Sequence, residues 1–161
     1  MAESRSSIVI ACVEARPEHI PEMFRVRLAV VENALTEERL RELGITPESL
    51  AADLGGRFQG WVIEEDGQVV GFSIADVQTS SVWALFVAPG YEGRGFGNRL
   101  LDKAVDRLWD RGASRIWLKT DPSSRAAGFY RRSGWRETGT IDKGEITFEL
   151  EYRIRGVGWF E

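Results

Sequence analysis

The sequence predicts a single α/β domain over residues 1–161 with a mixed sheet, on three observations. Two apolar runs, Phe58–Glu65 and residues 68–75, flank Asp66-Gly67, the strongest short signal for an antiparallel hairpin. An apolar run at Ser81–Val87, a glycine-rich turn, a helical pattern and a second apolar run at 116–118 follow in the order of a parallel crossover unit. Residues 145–154 alternate apolar and polar almost without fault, as an antiparallel strand with one wet face does.

The remaining elements follow in order. Residues 8–13, Ile-Val-Ile-Ala-Cys-Val, form a first strand that buries Cys12 as a small hydrophobe. Arg16-Pro17-Glu18 opens a helix with Pro and an acid in its first turn, and Ile20, Met23, Phe24, Val30 and Val31 mark its apolar face. Residues 32–45 read as a connecting segment. Thr46 then caps a short helix with Pro47 in its first turn, Ser49 standing where a full capping box has Glu or Gln, and Gly55-Gly56 ends it. Residues 98–109 carry Leu100, Leu101, Ala104, Val105 and Leu108 at helical spacing before Gly112. The segment 156–160 is apolar for a chain end and is expected to dock on the body or on a partner.

Composition narrows the function. With 43% hydrophobic residues the chain can bury a proper core. A net charge of −4, with Lys and Arg dispersed, argues against a nucleic-acid partner and mildly favours an amine-bearing one. One cysteine excludes an internal disulfide and suits a reducing compartment. No apolar run approaches the roughly 18 residues of a membrane span, and the first residues lack the organisation of a signal peptide. A cytoplasmic protein with no membrane partner and no metal is expected.

The richest stretch is Leu85-Phe86-Val87-Ala88-Pro89-Gly90-Tyr91-Glu92-Gly93-Arg94-Gly95-Phe96-Gly97-Asn98. Three glycines at alternate positions leave successive backbone N–H groups unshielded at a helix start, where the positive end of the helix dipole also points. A pyrophosphate suits such a cradle. A Walker loop would need Lys after Gly97, and a dinucleotide fingerprint would need a different glycine spacing, so both motifs fail. Taken alone, the glycines could serve only a strand-to-helix turn.

A second segment, Ser123-Ser124-Arg125-Ala126-Ala127-Gly128-Phe129-Tyr130-Arg131-Arg132-Ser133-Gly134-Trp135, decides between them. Together the two segments resemble the GNAT superfamily of acyl-CoA-dependent N-acetyltransferases. Val87 and Glu92 to Gly97 match its first motif, and Ala126, Phe129, Tyr130, Gly134 and Trp135 its second. The resemblance covers about residues 61–152. Two departures stand out: Glu92 replaces Gln or Arg, putting a carboxylate beside the phosphate site, and Ser123 replaces Asn.

The resemblance implies a GNAT-like, mostly antiparallel sheet of about seven strands with roughly four helices, its parallel fourth and fifth strands splayed for the cofactor. It implies acetyl-CoA as co-substrate. The backbone of Leu85, Phe86 and Val87 would pair with pantetheine, and Glu92, Gly93, Arg94, Gly95, Phe96, Gly97 and Asn98 would hold the pyrophosphate, with Arg94 adding positive field. Ser123, Ala126 and Phe129 complete the expected cofactor contacts. Tyr130 falls on the position that protonates the departing thiolate, and a phenol of pKa about 10 keeps its proton at neutral pH.

The rest of the chemistry is less marked. Residues 82–87 contain no carboxylate to serve as base. Glu32, Glu37, Glu38 and Asp76 are candidates for reaching the cleft, and His19 reads as a solvated first-turn residue. Arg27 lies in the middle of an apolar helix face, where it either snorkels or pairs with a buried carboxylate for structure, or faces the acceptor cleft to bind an acidic group of the substrate. Arg27 and Glu32 are thus the candidate acceptor contacts. The expected partner is an amine acceptor, small molecule or protein, with a homodimer left open. The leading reading is an acetyl-CoA-dependent N-acetyltransferase; a non-catalytic acyl-CoA-binding module and a purely structural interaction protein are the alternatives.

Overall fold

A computed structural model describes residues 7–32 and 34–152. A seven-stranded sheet runs through the domain, made of β1 (Ile10–Glu14), β2 (Phe58–Glu65), β3 (Gln68–Asp76), β4 (Ser81–Val87), β5 (Arg115–Thr120), β6 (Arg136–Asp142) and β7 (Glu145–Glu151). The helices are α1 (Ile20–Ala29), α2 (Glu37–Glu42), α3 (Pro47–Asp53), α4 (Phe96–Asp110) and α5 (Arg125–Arg132), with a 3₁₀ turn at Pro17–His19. The strand order is β1-β2-β3-β4-β5-β7-β6, antiparallel throughout except between β4 and β5.

That exception makes the site. A register shift in the β3–β4 ladder pairs Ile74 with Ala84 and Ala75 with Val82, leaving Trp83 as an extra residue on β4. Such a bulge bends its strand. β4 meets β5 only at Ser81 and Trp117, so the two strands separate toward their C-terminal ends. The edge of β4 from Leu85 to Val87 faces the gap.

Each sheet face has its own core. α4 and α5 cover one face, where Leu100, Ala104, Leu108, Ile116, Tyr130, Trp135 and Phe148 pack together. α1 and α3 cover the other with Met23, Val26, Leu50, Val62, Phe72 and Ile74. Leu85 and Val87 of β4 pack on the α4 side, whereas Ala84 and Phe86 pack on the α1 side. At about 1.5–3 kcal/mol per buried aliphatic or aromatic side chain, these two layers hold the splayed strands in place.

Several expectations need correction. Segment 32–45 is not merely a connection, because Thr36 accepts the Arg39 N–H and caps α2. Among the described residues there are five α-helices, in keeping with the roughly four expected. α1 ends at Ala29, its cap residue Val30 being extended, and Val31 is 82% exposed, so Val31 is no part of the apolar face. Ser49 completes the Thr46 capping box after all: its hydroxyl accepts the Thr46 N–H and Thr46 accepts the Ser49 N–H. α4 begins at Phe96, two residues before the expected start at residue 98. β6 is a mostly exposed edge strand joined to β7 through Lys143 and Gly144, both at positive φ. The docking expected of 156–160, and the extension of the last strand to 154, lie outside the described residues.

Candidate active site

The separation of β4 from β5 opens a cleft of about 1130 Å³, walled by the β4 edge, the N-terminus of α4, α5 and the end of α1 with its following loop. Leu85, Phe86, Val87, Glu92, Gly93, Gly95, Phe96, Gly97, Asn98, Ala126, Phe129 and Tyr130 all line it, as do Arg27 and Glu32. Sequence segments roughly 30 to 100 residues apart thus meet in one cavity.

The α4 N-terminus is built to stay open. Gly95 is the N-cap in the left-handed conformation at φ 82°, and no side chain caps the helix. No acid occupies the first turn, and the first ladder bond runs from the Arg99 N–H to the Gly95 carbonyl. The amides of Phe96, Gly97 and Asn98 precede that bond and have no acceptor in the helix. Gly97 is informative because the fold does not demand it: its backbone is not at positive φ, and a Cβ placed there would meet only Phe129 Cζ at 3.8 Å, an ordinary contact. A glycine inside a helix costs about 0.5–1 kcal/mol relative to alanine. The bare backbone at Gly97 leaves room for a group to approach the free amides, and the residues present fit a pyrophosphate.

Tyr130 is 5% exposed and packs its ring against Phe129, Trp135 and Phe148, with centroids at 5.3, 5.7 and 5.8 Å. Burial pushes its phenol well above the ordinary range. Tyr130 thus packs in the core and lines the cleft with one ring.

Two predicted cofactor contacts are not brought together with the others. The Arg94 guanidinium lies 2.5 Å from a Glu65 carboxylate oxygen, with its Cζ 4.9 Å from the Phe96 ring centroid, and Arg94 does not line the cleft. Ser123 is also outside; its hydroxyl and N–H both donate to Asp121 Oδ1, at 2.7 and 2.8 Å, so it shapes the turn before α5. Glu92 lines the cleft, but its carboxylate accepts the Gly90 N–H at 2.8 Å. That bond and the Glu92 amide hold its carboxyl below the usual range.

The candidate bases sort cleanly. Asp76 is buried under a bidentate hydrogen-bonded pair with Arg57 and also accepts the Gln78 and Thr79 N–H groups. Burial alone would raise its carboxyl, but these donors outweigh it and hold the group below its ordinary value. Asp76 is away from the cleft and ties the end of β3 to Arg57, just before β2. Glu37 pairs with Arg41 at 3.6 Å on exposed α2, and Glu38 is exposed. His19 is not solvated: its side chain is 15% exposed, with Nδ1 accepting the Arg16 N–H and Nε2 4.0 Å from Glu64. Among the described residues, the carboxylates lining the cleft are Glu32, Glu92 and Glu145.

Glu32 reaches across the cleft to α5, where its two oxygens accept the Arg125 N–H at 3.2 and 3.1 Å. Arg27 stands on the α1 wall with its guanidinium 4.4 Å from the centroid of the Phe86 ring, and burial lowers its pKa. Trp83, which the sequence reading left as an ordinary strand residue, is 38% exposed in the cleft and stacks on Phe58 at 4.5 Å. Its exposure comes from the bulge, a feature its apolar surroundings do not encode.

The comparisons with known proteins agree with this geometry. The sequence profile of the Acetyltransferase (GNAT) family matches residues 21–135. Over 91 residues the chain is 29% identical to the [ribosomal protein bS18]-alanine N-acetyltransferase of Haemophilus influenzae, covering 55% of this chain and 62% of that enzyme, which is less than two thirds. The enzyme of the same name from Escherichia coli is 27% identical over 104 residues, 63% of this chain and 70% of that one. In three dimensions the chain resembles the PaiA N-acetyltransferase of Thermoplasma acidophilum, solved in complex with coenzyme A, at a TM-score of 0.74 and 17% identity over 89% of this chain and 99% of that one. The crystal structure of the E. coli ribosomal-protein-S18-alanine N-acetyltransferase gives 0.69 and 20%, over 93% and 98%. At these identities the two structures speak for the fold.

Proposed function

The chain belongs to the Acetyltransferase (GNAT) family, and from that premise we propose that it transfers the acetyl group of acetyl-CoA to a primary amine, small molecule or protein, by direct attack on the thioester. The observation that carries the reading is the conjunction of an unpaired β4 edge with an uncapped, glycine-walled helix end in one cleft.

Each step falls to a named group. The backbone of Leu85 to Val87 receives pantetheine as an added strand, and the amides of Gly93 to Asn98 hold the pyrophosphate in the field of the α4 dipole. Glu92 and Phe96 contribute through their backbone, while Ala126 and Phe129 supply apolar surface. Arg94 and Ser123 act at one remove, by fixing the loop before α4 and the turn before α5. The neutral amine nitrogen bonds to the thioester carbon, the carbon–sulfur bond breaks, and the thiolate takes the Tyr130 proton. The nitrogen gives its surplus proton to water near Glu32, and Tyr130 is reprotonated from solvent.

The test is thiol release with acetyl-CoA across a panel of primary amines. Free coenzyme A appearing only when an amine is present supports transfer. A melting temperature that rises with acetyl-CoA while no amine is ever turned over identifies a non-catalytic acyl-CoA-binding module instead. Absence of any shift at millimolar acetyl-CoA overturns the reading, since a ligand at 100 times its Kd adds about 2.7 kcal/mol.

A further inference from the structure

We propose that the acceptor amine is carried on a flat, aromatic body, and that this body lies on the indole of Trp83. The inference rests on the acetyl-transfer reading and adds the acceptor class to it.

The bulge in β4 decides where Trp83 points. In a regular strand successive side chains alternate between the faces of the sheet. On β4, Leu85 and Val87 pack into the α4-side core, and Ala84 and Phe86 into the α1-side core, so strict alternation would send Trp83 to the α4 side. Trp83 instead stacks on Phe58, a residue of the α1-side core, with ring centroids at 4.5 Å and planes at 22°. Two consecutive side chains, Trp83 and Ala84, thus share the α1 face, and Val82 returns to the α4 side. An extra residue in one strand re-aims a side chain in this way.

The indole stands beside the reacting end of the cofactor arm. With the pyrophosphate at the α4 N-terminus, beyond the end of β4, the pantetheine arm runs back along Val87 and its thioester lies at the Leu85 end. Trp83 is two residues further along the strand, roughly 7 Å at the ordinary rise of a strand. The α4 side of that position is filled by Leu85, Val87, Ala127 and Tyr130. An amine that reaches the thioester therefore comes from the α1 face, past Trp83.

That surface suits a flat apolar body. Phe58 is 8% exposed and backs the indole, which sets its plane. Trp83 itself is 38% exposed in the cleft, and Phe24, Leu35 and Leu50 line the same cavity. Covering that much aromatic surface is favourable, and an aromatic ring placed offset on it gains more than its buried area alone. The carboxylates lining the cleft among the described residues lie at its other end. Trp83 is two residues past the point where β4 meets β5, whereas Glu32 reaches the start of α5, Glu92 accepts the Gly90 N–H after β4, and Glu145 is next to the residue that pairs with Thr120 at the far end of β5. An acceptor body with further positive charges would find its anions there and not beside the indole.

The experiment compares kcat/KM for phenethylamine, 2-cyclohexylethylamine, propylamine and spermidine with acetyl-CoA, at equal concentrations of the free-base amine. The wild-type protein should favour phenethylamine over propylamine by about tenfold or more, and over 2-cyclohexylethylamine by a smaller margin, since stacking adds to burial. In Trp83→Ala the phenethylamine-to-propylamine ratio should fall toward one through a higher KM for phenethylamine, and Trp83→Phe should keep part of it. A wild-type ratio near one or below overturns the proposal without any variant, so failure of Trp83→Ala to fold does not shelter it. It is equally overturned if 2-cyclohexylethylamine or spermidine is turned over as well as phenethylamine, or if Trp83→Ala keeps the amine ratio. Retention of that ratio with new turnover of hexanoyl-CoA would make Trp83 a wall of the acyl site instead. Those results leave acetyl transfer standing. Absence of both an acetyl-CoA melting shift and thiol release with every amine removes the acetyl-transfer reading and this one with it.

Discussion

Two helix N-termini face the same cleft and are finished in opposite ways. At α5, Ser124 accepts the Ala127 N–H, Glu32 accepts the Arg125 N–H, and the preceding turn is closed by Asp121. At α4 there is a left-handed glycine, no side-chain cap and no acid in the first turn. Helix ends need their orphan amides satisfied; the α5 end is sealed by the protein's own oxygens, whereas the α4 end has no side-chain cap, which is what the proposed pyrophosphate contact requires. In the proposed mechanism the difference separates two kinds of contribution: α4 offers its backbone, and α5 offers a side chain, Tyr130.

Predictions that sharpen this contrast begin with Tyr130→Phe. It keeps the ring and removes the proton, so kcat should drop roughly 10²-fold while coenzyme A binds as before. Because burial raises the phenol, the proton-bearing form persists above the ordinary tyrosine range, and wild-type kcat should show no decline from this group up to pH 10. Stopped-flow thiol release over pH 6–10 measures both. Loss of coenzyme A affinity in this variant would blur the division between the helices.

Ser124→Ala should cost about 1 kcal/mol in urea unfolding, the usual loss of a cap, with coenzyme A affinity changed less than the stability. A large affinity loss would mean that the α5 end is also a ligand site. The smallest effect is expected for Glu32→Gln, about 0.5 kcal/mol from the lost charge at the α5 dipole, together with a few-fold rise in the acceptor KM. No change in either quantity would show that the bridge from the α1 loop to α5 is idle in solution.

How much of this could be read from the sequence follows the same line. The open end was legible because its chemistry is in the main chain, and glycines at 93, 95 and 97 advertise bare backbone directly. The place of Tyr130, Ala126 and Phe129 in the cleft wall was legible through motif position. The side-chain partners of Arg94 and Ser123 were not: Glu65 lies 29 residues from Arg94 and leaves no local mark, and Asp121, though only two residues from Ser123, takes its hydroxyl into the turn before α5. Asp76 was a candidate cleft acid, but Arg57, just before β2, pairs with it away from the cleft. In the fold, the polar sequence of β6 carries no alternation strong enough to announce a strand, since it lies at an exposed sheet edge. The bulge at Trp83 escaped for the opposite reason, an apolar run that looks regular.

The most direct test of the open-end account is calorimetric titration of coenzyme A into wild-type protein and into Gly97→Asp. An aspartate at the second helical position has room for its Cβ and favours the helix dipole, so the variant should be at least as stable as the wild type in urea. Its carboxylate occupies the amides that the pyrophosphate needs. The account predicts one coenzyme A per wild-type chain and no measurable heat of binding in a fully folded Gly97→Asp; coenzyme A affinity in that variant within a few-fold of wild type would contradict it.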